Sequence, residues 1–253
     1  VAILGEEVAA AGGVGDGLEG LLVENFLAGR RRVADPDHVN LDLVVAGGGT
    51  AGHVAGVQAA RVGIKTSVIE AGSMLGGTMT VGGVYMPNHF FSTEGPVVLG
   101  IAWELYTKSK KIEGLPIPDY KKRRPAESPG YYSYINVPIY AALAEEEAAK
   151  AGVILHYHEF IAEVKAVGNY WEITSLGRGI KRITKAKEII DCTGDSDVVR
   201  ILGLVVLYDE VRQPGTYQYK IEGIEYEQIW EKEIQNIYEE AMENDILKQG
   251  DYA

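Results

Sequence analysis

The sequence predicts an α/β fold: a parallel sheet with helices against it, an antiparallel β insertion within it, and the start of a second, mixed substrate layer after it. Three observations carry this. Residues 41–70 read as strand, glycine turn, helix and strand, about 30 residues, the length of one βαβ unit. Residues 159–184 read as short strands punctuated by Gly168, Gly177 and Gly179, an antiparallel pattern. Residues 187–191 form another apolar strand, and it breaks off into Thr193-Gly194-Asp195.

Residues 1–40 form an N-terminal extension. Gly12, Gly13, Gly15 and Gly17 break any helix there. Leu18, Leu21, Leu22 and Phe26 fall at helical spacing. Arg30 to Arg32 read as a solvated helix end, and Ala34-Asp35-Pro36-Asp37 as a linker. The GGVGDG stretch of residues 12–17 lacks the Lys-Ser/Thr ending of a phosphate loop.

The stretch 41–70 is the centre of the chain. Gly47, Gly49 and Gly52 fill G-x-G-x-x-G between an apolar run and a helix-compatible run. The first glycine allows the tight turn, the second lets backbone approach a pyrophosphate, and the third lets helix pack on strand. A helix starting at Thr50 and Ala51 offers free N–H groups and a favourable dipole to an anion. Glu70 closes the next strand where a carboxylate accepts hydrogen bonds from a ribose, which favours FAD or NAD over NADP. A second glycine cluster follows: Ala71 leads to Gly76-Gly77, which can bring backbone N–H groups to an anion, with hydroxyls from Thr78 and Thr80.

Residues 84–135 read as an insertion, with a helical stretch near Trp103 to Tyr106. Seven basic residues between Lys108 and Arg124 make it locally positive, a solvated loop or a clamp for an anionic substrate. Tyr131, Tyr132 and Tyr134 suit either a pocket or a strand. Pro138 suits a helix first turn, and Gly152 ends a helix over 139–151. Strands are predicted at 153–157, 159–167, 170–175 and 180–184, with a hairpin at Gly168-Asn169. His156 and His158 have no carboxylate at ligand spacing, which argues against a metal site. Residues 204–208 and 216–221 read as strands of the second layer, and 226–247 as a long acidic helix with one apolar face.

GGGTAG, then Glu70, then LGGTMTVGG resembles the N-terminal half of FAD-dependent oxidoreductases of the glutathione-reductase-like fold. Within that group it is most similar to the FAD-dependent oxidoreductase family. The resemblance implies a Rossmann-like FAD-binding domain over 41–203, then the start of a substrate or cap domain over 204–253. It implies that Ala71, Gly76, Gly77, Thr78 and Thr80 run along the pyrophosphate and ribitol. It puts backbone near Phe160 and Ile161 on the adenine, brings Thr193, Gly194 and Asp195 back to FAD, and makes Tyr85 and His89 the candidates to face the flavin. Met79 stands where the family has Ala, and Cys192 where it has Ala in the A-T-G motif. The family's disulfide-reductase relatives carry cysteines after the second loop; none stands there here. Nothing after Ile221 supplies the late glycine segment that closes over the flavin in this fold. The expectation is therefore half of a larger flavoenzyme, completed by further chain or by a second chain in a homo- or hetero-oligomer. The function expected is hydride transfer from a small polar substrate to FAD. An NAD-dependent dehydrogenase and a non-catalytic FAD-binding subunit are the alternatives.

Composition narrows the class. With 24 basic and 36 acidic residues the chain carries a net charge of −12, which argues against a nucleic-acid partner. Cys192 is its one cysteine, so it holds no disulfide framework and no redox cysteine pair, which fits the cytoplasm. No apolar run reaches the ~18 residues of a membrane span, so no membrane partner is expected.

Overall fold

The computed structural model describes residues 2–4, 40–87, 90–92, 95–117, 134–208 and 231–246. The chain divides into two compact units, residues 1–206 and 207–253.

The first unit begins with β1 (Ala2–Leu4). β2 (Leu41–Ala46) follows, buried along nearly its whole length. That is why it reads as a continuous apolar run rather than an alternating one: a parallel strand in mid-sheet has both faces covered. α1 (Thr50–Arg61) and β3 (Thr66–Glu70) complete the predicted βαβ unit. A single 3₁₀ turn, Gly77–Met79, follows, then a two-residue hairpin of β4 (Phe91–Ser92) and β5 (Gly95–Pro96). α2 (Ile101–Ile112) holds the aromatic residues Trp103 and Tyr106.

α3 (Val137–Ala151) shows its sequence logic at both ends. Asn136 caps its start, accepting from the Ile139 N–H at 3.2 Å, and Pro138 sits in the first turn. Gly152 ends it with φ +82°, a left-handed conformation that glycine adopts without penalty. β6 (Ile154–Tyr157), β7 (Glu159–Val167), β8 (Tyr170–Gly177) and β9 (Lys181–Asp191) follow, then the short α4 (Asp197–Ile201).

The sheet has seven strands in the order β6-β3-β2-β9-β8-β7, with β1 antiparallel to the end of β9. β6, β3, β2 and β9 run parallel; β9, β8 and β7 form the antiparallel insertion. β9 joins the two halves. The sequence suggests two strands, 180–184 and 187–191, but no glycine or proline separates them and they run as one. The first half pairs antiparallel with β8 up to Trp171↔Ala186. The second pairs parallel with β2 from Leu41↔Ala186 to Ala46↔Asp191. β2, β3 and β9 therefore end side by side, with Ala46 opposite both Ile69 and Asp191. Ligands of such sheets bind beyond the carboxyl ends of the parallel strands.

A core lies on each face of the sheet. Leu43, Val45 and Val68 pack with α1, α2 and α3, burying Val57, Leu105, Tyr106 and Tyr140. Val44, Ala46 and Ile189 pack on the other side with Val164, Trp171, Ile173 and Val198.

Residues 204–208, predicted as a strand, are irregular: no strand among the described residues pairs with them, and Val205 is 86% exposed. Of the predicted helix 226–247, the second unit shows α5 (Glu231–Glu243). The predicted strand 216–221, the helix near Leu18, the arginine run, Tyr131, Tyr132 and His89 lie outside the described residues. Among the described residues no helix is long and apolar enough to cross a membrane.

Candidate cofactor site

The three glycines of the turn do different work. At Gly47 the backbone has φ +92°, and a side chain would run into the Cys192 carbonyl at the end of β9. At Gly52 a side chain would collide with the Gly47 carbonyl oxygen, so the helix could not begin where it does. Gly49 differs. A Cβ there would come no nearer than 3.9 Å to Gly77 and 4.0 Å to the Cys192 oxygen, ordinary van der Waals distances. The protein alone does not require this glycine; the open space beside it belongs to a cavity.

The second glycine loop is laid directly on the first. Gly76, at φ +105°, donates its N–H to the Gly48 carbonyl at 3.0 Å, and the Thr50 hydroxyl donates to the Gly76 carbonyl at 3.0 Å. A side chain on Gly77 would reach within 2.8 Å of the Gly49 Cα. Thr80 is buried below and donates to the Leu75 carbonyl at 2.7 Å. Glu70 locks the two loops together: Oε2 accepts from the Gly48 N–H at 2.6 Å and Oε1 from the Gly72 N–H at 2.5 Å.

The Thr-Gly-Asp turn at the end of β9 is held from below. Asp191 is buried. Its Oδ1 accepts from the Thr193 N–H at 3.0 Å and hydroxyl at 2.7 Å, and its Oδ2 from the Val199 N–H at 3.1 Å. Thr193 Oγ1 in turn accepts from the Asp197 N–H at 2.8 Å. At the start of β7 the buried Glu159 accepts from the Ser175 hydroxyl at 2.6 Å and from Arg182 Nε at 3.2 Å. Burial raises its pKa, but the Arg182 and Ser175 bonds outweigh this and hold it below the usual carboxylate value. This fixes the strand end that carries Phe160 and Ile161.

These pieces enclose one cavity of about 640 Å³, within the range of small-molecule and cofactor sites. Gly47, Gly49, Thr50, Ala51, Glu70, Ala71, Gly77, Thr78, Ile161, Thr193 and Gly194 all line it. Gly52, Gly76 and Thr80 stand behind the wall as supports, and Asp195 is exposed outside it. Tyr85 is also off the wall, 54% exposed and stacked on Tyr134 with ring centroids 5.8 Å apart. Asp191 and Ser196 line the cavity and were not singled out for it in the sequence. The only hint at Asp191 was its place at the last residue of a strand.

The wall's charged side chains are all acidic: Glu70, Asp191 and Asp197. Among the described residues no Lys, Arg or His lines it. An anion here would be held by backbone N–H groups at the start of α1. That start has no acidic residue in its first turn and no side chain capping it. The Cys192 thiol is pushed up by burial, which keeps it protonated and a poor nucleophile. Behind the turn, His53 is buried, with Nδ1 at 2.8 Å from the Gly49 carbonyl and Nε2 at 3.2 Å from the Tyr140 hydroxyl. Burial pushes its pKa down, so the ring is neutral.

The model of a protein family described as FAD dependent oxidoreductase matches residues 42–251. The chain belongs to the FAD dependent oxidoreductase family. Its cofactor is therefore FAD rather than NAD, and its sheet is the Rossmann-type FAD-binding kind. The residues fit that group: a cradle open beside Gly49, a carboxylate at Glu70, and a helix start with free donors.

No curated protein matches the chain. Among solved structures it is similar to AlpK, at 15% identity and TM-score 0.44 over 64% of this chain and 33% of that one. It is similar to Thermovibrio ammonificans THI4, at 17% and 0.43, over 74% and 70%. A third is a flavoprotein/dehydrogenase from Cytophaga hutchinsonii, at 20% and 0.42, over 65% and 42%. The chain thus spans a third of the length of the first and less than half of the last.

Proposed function

We propose that this family member binds FAD along the cavity, with the pyrophosphate at the start of α1, the adenosine ribose at Glu70 and the adenine against the Phe160–Ile161 backbone. The observation that carries this is Gly49, the one glycine of the turn whose bareness serves a ligand and not the fold. FAD, when bound, supplies the acceptor for a hydride from a substrate C–H bond. The chain's own residues do the rest. N–H groups of Thr50 and Ala51 face the anion, Glu70 accepts from ribose hydroxyls with its remaining lone pairs, and Thr78 and Thr193 bring hydroxyls to the wall.

Proton handling is a separate question. A general base must sit within hydrogen-bond reach of the proton it takes. Among the described residues the ionisable side chains of the cavity wall are carboxylates and a protonated thiol, and Asp191 is spent on its three bonds. We assign this role to His89, with Tyr85 as the second candidate to face the flavin, acting on a small polar substrate. A second chain, or further chain outside this stretch, completing the flavin-ring side is consistent with a wall that gathers pyrophosphate- and ribose-type contacts.

The test is made on the full chain with and without any co-purifying protein. A flavin absorption band and its bleaching by substrate under anaerobic conditions are expected. His89→Asn should lower the bleaching rate by about 10²–10⁴-fold. A colourless chain that takes up no FAD would overturn the cofactor site; unchanged bleaching in His89→Asn would remove that residue alone. A chain that holds flavin but bleaches with no substrate would be a binding subunit.

A further inference from the structure

His53 and Tyr140 form a buried polar pair directly behind the glycine turn, 1% exposed each, and no role has so far been given to them. The geometry fixes their proton positions. A carbonyl oxygen can only accept, so Nδ1 carries the hydrogen and donates to Gly49 at 2.8 Å. The ring is neutral, so Nε2 accepts a hydrogen bond that the Tyr140 hydroxyl donates at 3.2 Å. The rings meet edge to face, centroids 5.9 Å apart. The Gly49 carbonyl thus accepts twice, from the His53 ring and from the His53 backbone N–H at 3.1 Å.

The carbonyl so held belongs to the peptide whose N–H is that of Thr50. In a trans peptide C=O and N–H point in opposite directions, and the described chain has no cis bond. Pinning the Gly49 oxygen inward therefore points the Thr50 N–H outward, into the cavity that both residues line. A peptide next to glycine is the one best able to flip, and a flipped one would aim a carbonyl oxygen at a phosphate.

We propose that His53, oriented by Tyr140, is a positioning residue that holds the Gly49–Thr50 peptide in its anion-binding orientation. This rests on the pyrophosphate reading of the turn. The test is titration of the full chain, freed of flavin, with FAD, ADP and adenosine. His53→Leu should weaken FAD and ADP about tenfold and leave adenosine unchanged. His53→Asn places an amide N–H where Nδ1–H stood and should recover most of the loss. Tyr140→Phe keeps the ring and its packing and should weaken ADP about threefold; it also serves if His53→Leu does not fold. Equal ADP affinity in wild type and these variants would overturn the proposal. So would adenosine weakening in step with ADP, which marks general distortion. Wild type that binds adenosine but not ADP or FAD would instead overturn the pyrophosphate reading.

Discussion

One added methyl group separates the glycines that the fold needs from the one the ligand needs. Gly52→Ala drives a Cβ into the Gly47 carbonyl, and backbone cannot yield as a side-chain tip can. It should cost about 1–3 kcal/mol of stability, read in denaturant unfolding of the flavin-free chain. Gly49→Ala meets nothing closer than 3.9 Å, and its φ of −62° suits alanine. Its unfolding midpoint should match wild type or rise slightly, because alanine has less backbone freedom to lose, while FAD affinity falls at least tenfold. Equal FAD affinity in Gly49→Ala would mean the space beside it is not used. The motif spacing was readable in the sequence, but this division of labour was not, because it depends on what each glycine meets across the turn. Glu70 is a similar case. Its place at the end of a strand was legible; its two backbone donors, Gly48 and Gly72, were not. Glu70→Gln keeps the shape but turns an NH₂ toward one of those N–H groups. It should cost about 1–3 kcal/mol, seen as a lower melting temperature even without FAD.

At the scale of elements, one carboxylate touches all three helices on one face. Glu147 on α3 meets Arg61 of α1 at 3.0 Å and Lys108 of α2 at 2.6 Å, with Lys150 of its own helix at 3.4 Å. Lys108 chiefly, and Arg61 after it, hold the carboxyl down to about 2, against the usual 4.5. Its folded pKa is thus depressed, so its contribution is fully present above about pH 4.5 and lost as pH falls toward about 2. The partner cations are 32–58% exposed, so water screens the pairs and the gain is modest. Glu147→Gln should lower stability by about 1 kcal/mol at pH 7, and the gap to wild type should close across that acid window; a gap that persists at its lower end would refute the ion-pair origin. None of this network was legible, since its members stand 39 or more residues apart except Lys150. The elements themselves mostly were. α3 carries Pro138 and Gly152 as local signals, and β7 and β8 turn at Gly168-Asn169. β9 was misread as two strands because a strand that changes partners midway changes its burial pattern, not its backbone. Residues 204–208 failed in the opposite way: an apolar run forms a strand only where a neighbour pairs with it, and none among the described residues does.

For the whole molecule, the site is a junction rather than a module. Its wall draws on residues 47–51, 69–78, 160–161 and 191–197, and all of these lie in the first unit. They come together because β2, β3 and β9 end in register, so closing the cavity around a ligand joins three strand ends and the first residues of the antiparallel insertion. FAD that binds only the folded chain adds stability by mass action, about 2.7 kcal/mol at a hundred times its dissociation constant. For a chain of this size that is a rise of about 5–10 °C in melting temperature, at about 2–4 °C per kcal/mol. The gain should be spatially uneven. Amide hydrogen exchange measured with and without FAD should slow at the two glycine loops and at 191–199, where Asp191 holds the turn. The middle of β8 faces no part of the cavity and should change little. Uniform slowing throughout the first unit, with no excess at the three turns, would mean that FAD acts through global stability alone and that the strand ends are not where it binds.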